Sequence, residues 1–203
     1  MDNLNIEAYV LNFTSLILMN VNSMPECKEK ISPSLLDISE NDLLIFTTEF
    51  LFYELHVCDR WLFCWYGAKT RKKIMDMIVT KIALVLNNNR EHILDERLKS
   101  LDIGNLKTYL NITGNLPDFE TIIEAYNQRG DEYSKFEFTN KKDESFNGFL
   151  PWEFAKKLAS LINKEDDAFL EMGICSYAMG IYEMIVKFKD ELDKRFNLNQ
   201  ELK

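Results

Sequence analysis

The sequence predicts an all-α fold: a single-domain multi-helix bundle built on two apolar helices, at about 43–66 and 168–186. Three observations carry this. Only 7 Gly and 4 Pro punctuate 203 residues, too few for a turn-rich β-sandwich. Apolar residues recur at helical spacing along most of the chain. Hydrophobic residues make up 46% and charged residues 28%, a balance that supports a packed core and argues against disorder. A chain of this length is expected to form one domain, 1–203, with 136–148 as a surface loop.

Tyr9, Val10, Phe13, Leu16, Ile17 and Met19 set an amphipathic helix over about Asn5–Asn20. Pro25 and Pro33 predict a non-helical connection from Met24 to Ser34. Ser39 is placed to cap the next helix, with Asp42 three residues on.

That helix, Leu43–Tyr66, is apolar on most sides, which places it in the middle of a bundle or in a membrane. Its five ionisable residues are Glu49, Glu54, His56, Asp59 and Arg60, and charge near a bilayer centre costs a few kcal/mol per group. No membrane span is therefore expected. Gly67 reads as a C-cap, and Thr70–Leu86 as a further helix with Ile74, Met77, Ile78, Ile82 and Val85 inward. Arg90–Leu101 reads as helical and Leu106–Ile112 as a short piece.

Pro117 marks the start of a helix that carries Phe119, Ile122, Ile123 and Tyr126 and extends toward Tyr133. Lys135–Phe138 alternates like a short strand without an evident partner. Pro151 starts a helix to about Ile162, and the last helix runs from about Asp167 to Phe196. Its first part, Ala168–Val186, is apolar on most sides. Its tail, Lys187–Lys194, is expected to project into water. Gly173, Ser176, Tyr177 and Gly180 lie on adjacent parts of it; the two glycines predict a close backbone neighbour, with helix 43–66 as the expected one, and a groove for an apolar ligand is the alternative reading.

The net charge is −9, and the one dense basic run, Lys69–Lys73, reads as an exposed helix start, so no nucleic-acid partner is expected. Cys27, Cys58, Cys64 and Cys175 form no C-x-x-C pair. They read as free thiols of a cytoplasmic protein, with Cys58 and Cys64 in the core. The residues before the apolar stretch Ala8–Met19 are acidic, unlike a secretory signal.

One constellation stands out. Glu49, His56 and Arg60 fall within about 40° on one face of helix 43–66, with Tyr53 beside them and Asp59 flanking. Glu54 points the other way. Buried charge has to be paired, so this stripe is either a structural ion-pair network or a polar pocket in which His56 acts as a base or ligand. A metal reading would recruit Glu49, His56, Asp59, Glu171 and Glu183, yet the Glu-x-x-His pattern of carboxylate-bridged bundles is missing before both His56 and His92. No metal and no cofactor is expected. No nucleotide-binding, hydrolase-elbow or zinc-protease motif occurs. The expected role is a non-catalytic interaction or regulatory protein with a protein partner, itself or another, and with homo-oligomerisation in view. The alternative is a ligand- or metal-binding bundle, enzymatic or not, using the stripe on helix 43–66.

Overall fold

A computed structural model describes residues 3–86, 119–138 and 146–196. Among these residues the chain is all-α. Its helices are α1 (Asn3–Ile31), α2 (Glu40–Leu86), α3 (Phe119–Tyr133), α4 (Leu150–Leu161) and α5 (Ala168–Phe196), with a 3-10 turn at Pro33–Leu35. The expected Arg90–Leu101 helix, the Leu106–Ile112 piece, Pro117 and the loop tip 139–145 lie outside the described residues.

The first half of α2 is the centre of the bundle, with every residue from Glu49 to Asp59 buried. α1 and α3 pack against it, α4 pairs with α5, and α5 also touches α1 and α2. Aromatic rings fill the junction. Tyr53 stacks on Phe154 of α4 at 4.3 Å, and Phe50 meets Phe154 and Tyr177 edge-on at 4.9 and 5.6 Å. Such pairs contribute about 0.5–1.5 kcal/mol each beyond their area.

Local chemistry sets the element ends. The Asp42 N–H donates to Ser39 Oγ at 3.1 Å, and that hydroxyl donates to Asp42 Oδ2 at 2.7 Å, so the expected cap forms. Pro151 occupies the first turn of α4. Asp167 Oδ1 accepts from the Leu170 N–H at 2.9 Å and opens α5. Gly67 adopts φ 71°, ψ 176°, and α2 turns there into its second half without an intervening loop.

Three expectations need correction. α1 does not stop at Asn20; it runs to Ile31 with Pro25 inside it. Proline removes one N–H, but Ile17, Val21, Met24 and Ile31 keep a continuous buried stripe through that position, and this tertiary packing overrides the local penalty. The tail of α5 is not wholly in water. Leu192 and Asp193 are buried, Lys189 Nζ lies 2.5 Å from Asp193 Oδ2 and 5.0 Å over the Trp65 ring, and the Tyr66 hydroxyl donates to Asp193 Oδ1 at 3.2 Å. The charges there alternate with core positions, so Lys189 and Asp193 turn inward and pair, while Lys187, Asp190, Glu191 and Lys194 stay exposed. Third, the backbone beside Gly173 is not α2: a Cβ on Gly173 would sit 2.1 Å from the Ile31 carbonyl oxygen at the end of α1, whereas one on Gly180 would meet nothing within 4 Å.

The Lys135–Phe138 alternation yields one parallel bridge, Glu137 with Phe149. The Glu137 N–H donates to Gly148 O at 2.7 Å and the Leu150 N–H to Glu137 O at 2.9 Å, which closes the base of the 136–148 segment.

Candidate functional site

The stripe on α2 resolves into two ion-pair nodes facing α3. Glu49 accepts from Arg129 Nε at 2.9 Å on both carboxylate oxygens and from Arg129 Nη2 at 2.5 Å. The Tyr133 hydroxyl donates to it at 3.0 Å, and Lys157 Nζ of α4 stands 3.5 Å away while pairing with Glu132 at 2.6 Å. Asp59 pairs with Arg71 from the second half of α2 and accepts from the Tyr126 hydroxyl at 3.2 Å. These contacts raise the Arg129 and Arg71 guanidinium pKa values through their carboxylate hydrogen bonds.

The remaining candidates are placed as follows. Arg60 Nη1 donates to the Phe136 carbonyl at 2.7 Å, and its guanidinium lies 4.9 Å over the Phe138 ring. The Tyr53 hydroxyl donates to Ala178 O of α5 at 3.1 Å. His56 is buried between the nodes, edge-on to Tyr133 at 5.5 Å, and its Nε2 has no hydrogen-bond partner. Burial, then the Arg60 and Arg71 charges, push its pKa down to about 3, so the ring is neutral. Glu171 and Glu183 do not join the stripe: both lie on α5, Glu171 half-buried and Glu183 exposed, the latter 3.8 Å from Lys187 Nζ. The structure thus keeps Glu49, His56, Asp59 and Arg60 on one face of α2 but divides the charged ones between separate partners: Glu49 with Arg129, Asp59 with Arg71 and Arg60 with the Phe136 carbonyl. Among the described residues no group of three or more His, Cys, Asp or Glu side chains could hold a metal ion.

The thiols divide. Cys58 is buried, and burial pushes its pKa well up, which removes nucleophilic character. Cys64, expected in the core, is exposed, because it falls near the end of the first half of α2, where the bundle no longer surrounds the helix.

Two features were not singled out from the sequence. The first is Glu54, on the side of α2 away from the stripe. It is wholly buried; burial pushes its pKa up to about 8, and a hydrogen bond from Asn20 counteracts this only in part. Asn20 Nδ2 of α1 donates to Oε2 at 3.3 Å, and Oε1 has no partner. Asn20 also lines a groove of about 580 Å³ between α1 and α5, whose floor carries Gly173, Ser176 and Gly180 beside Ile181 and Met184. The signal available in the sequence was an acid alone on an otherwise apolar helix face.

The second is the surface of α5. Leu170, Ile174, Ala178, Ile181 and Ile185 face the core. The opposite arc, about 100° wide, carries Phe169, Met172, Ser176, Met179 and Gly180. Phe169 is 85% exposed and Met172 62%. Among the described residues α5 is also the one helix, over Ala168–Arg195, that is long and apolar enough to cross a membrane by length and composition. One face of it is nevertheless committed to the bundle core.

Searches against protein-family models, curated protein sequences and solved structures return no significant match to this chain.

Proposed function

We propose that this chain is a non-catalytic interaction protein of the cytoplasm that docks an amphipathic, basic helix of a protein partner on the uncovered face of α5. The observation that carries this reading is the exposed apolar arc of Phe169, Met172 and Met179, set around the small residues Ser176 and Gly180. Contiguous exposed apolar surface marks a binding site more often than it marks nothing. Small residues at its centre allow a second helix to approach closely. Glu165, Asp166, Asp167, Glu171 and Glu183 flank the arc, and the chain carries net charge −9, so a basic partner is favoured over a second copy. The four free thiols fit a reducing compartment. The stripe on α2 serves in this reading as the internal ion-pair network that ties α2 to α3 and α4.

A Leu/Lys amphipathic model helix titrated into the full chain, with light scattering of the chain alone, tests it. Saturable binding that weakens with salt and disappears in the Phe169→Glu/Met172→Glu variant is expected. A monomer that binds no such helix counts against the reading. A size that rises with concentration and is lost in the same variant reassigns the face to a second copy.

A further inference from the structure

Four carboxylates are buried among the described residues: Glu49, Glu54, Asp59 and Asp193. Glu49 has Arg129, Asp59 has Arg71 and Asp193 has Lys189. Among the described residues no cation pairs with Glu54. The titratable groups that act on it are Tyr53 and Cys58 on α2 and Tyr177 on α5, the last in contact with Cys27 of α1, and α1 contributes the Asn20 amide. None of these is positively charged. A carboxyl group stripped of water with one long hydrogen bond and a bare Oε1 is an unfavourable thing to keep in a core. Glu54 is also the buried carboxylate that lies next to a groove, because both Asn20, which bonds it, and Tyr177 line the space between α1 and α5.

We propose that the α1/α5 groove is a binding site for an alkylammonium group, whose charged nitrogen takes the place of the Asn20 amide at Glu54 while its aliphatic chain lies along Gly180 and Ile181. The donor chemistry matches. Asn20 already presents an N–H to Oε2, held only by that bond at 3.3 Å and by a 3.3 Å contact to Met184 Sδ, so a stronger donor can displace it. An ammonium offers three N–H donors and full charge, enough to engage Oε2 and the bare Oε1 together. The missing side chain at Gly180, where a Cβ would meet nothing within 4 Å, leaves room for the methylene chain, whereas the Ile31 carbonyl already fills the space at Gly173. Lys30 is an exposed cation that also lines the groove; it lies ten residues from Asn20 along α1, about 15 Å at 1.5 Å per residue, so its repulsion of an ammonium at Glu54 is screened by solvent. A free amine and a lysine side chain share this chemistry. The site does not depend on a helix docking on the outer face of α5.

Calorimetric titration of the full chain near pH 9, with n-hexylammonium chloride, 1-hexanol and Nα-acetyl-lysine amide as separate probes, tests the proposal. Hexylammonium is expected to bind at least about tenfold more tightly than hexanol, a modest figure for a charge-assisted contact in a buried site. Glu54→Gln keeps the shape and removes the charge; it is expected to abolish that preference and leave hexanol binding unchanged. Gly180→Leu, which fills the groove from an exposed helix position, is expected to abolish binding of both with the helical circular dichroism intact. Binding of the lysine derivative as well as hexylammonium supports the site and includes a protein lysine as its source; binding of hexylammonium without it supports the site and points to a free amine. Equal binding of hexylammonium and hexanol, no binding of either amine, or full hexylammonium affinity in Glu54→Gln overturns it.

Discussion

Arg129 grips Glu49 with two nitrogens: Nε reaches both carboxylate oxygens at 2.9 Å, and Nη2 reaches Oε1 at 2.5 Å. The two residues are 80 positions apart, so this contact fixes the register of α3 on the central helix. Glu49 is almost fully buried while Arg129 keeps a partly exposed edge. Tyr133 and Lys157 complete the carboxylate's environment from α3 and α4. A bidentate guanidinium–carboxylate pair is directional, which makes it a positioning device more than a source of net stability.

Removing one partner should therefore cost more than removing both. Arg129→Met leaves the buried Glu49 charge with Lys157 alone and is expected to destabilise the fold by about 2 kcal/mol, below the range for a fully buried pair because Arg129 is partly solvated. The Glu49→Met/Arg129→Met double variant is expected to regain most of that loss. Urea unfolding of the wild type, both single variants and the double variant measures the coupling. A double variant as unstable as the sum of the singles would show that the pair is not acting as a unit.

The stripe itself was legible, and its meaning was not. The 3.6-residue period puts Glu49, His56 and Arg60 on one face from spacing alone. Whether they form a pocket or a network depends on Arg129, Tyr126 and Lys157, which arrive from α3 and α4 through tertiary packing that no local pattern encodes. The same limit hid Glu54: an acid on an apolar helix reads alike whether or not a cation reaches it. The cap at Ser39, the break at Gly67 and the helix start at Pro151 were readable because those effects act within one turn. Pro25 misled because a local penalty of about 3 kcal/mol yields to the packing of Met24 and Ile31. The apolar composition of α5 could not say which side the bundle would leave uncovered.

Glu54 and His56 give opposing pH dependences. Glu54 titrates in the fold at about 8 instead of 4.5, so between those values the folded state holds a proton that the unfolded state has released, and stability falls as pH rises. His56 titrates in the fold at about 3 instead of 6.5, so between those values the unfolded state holds the extra proton, and stability falls as pH drops. Where the windows overlap, from 4.5 to 6.5, the two slopes cancel. In that range Glu54→Gln is expected to become more stable with rising pH, and His56→Leu less stable, each by roughly 1 kcal/mol per pH unit. Chemical denaturation across the window reads both signs. Parallel profiles for the wild type and the two variants would mean that neither group is buried as described.

Gly67→Ala tests the turn inside α2. Gly67 sits at φ 71°, ψ 176°, a region that residues with a Cβ adopt only under strain. No atom lies within 4 Å of a Cβ built there, so steric overlap with neighbours is not an issue. The expected loss is about 1–3 kcal/mol, all of it from the backbone. Retention of the Asp59–Arg71 pair would be checked by combining Gly67→Ala with Arg71→Met: if the turn positions Arg71, the two losses are less than additive.

Gly173 and Gly180 look equivalent in sequence and should behave in opposite ways. A Cβ at Gly173 would overlap the Ile31 carbonyl oxygen, and backbone on backbone cannot yield by a rotamer change. Gly173→Ala is therefore expected to push α5 away from the end of α1 and to destabilise by more than about 2 kcal/mol, as overpacking does. Gly180 is exposed with free space around it, so Gly180→Ala gains only helix propensity and is expected to stabilise by up to about 1 kcal/mol. Thermal or urea unfolding of the two single variants settles the comparison. Equal effects of either sign would mean that α5 does not meet α1 at Ile31, and the groove between them would lose its floor.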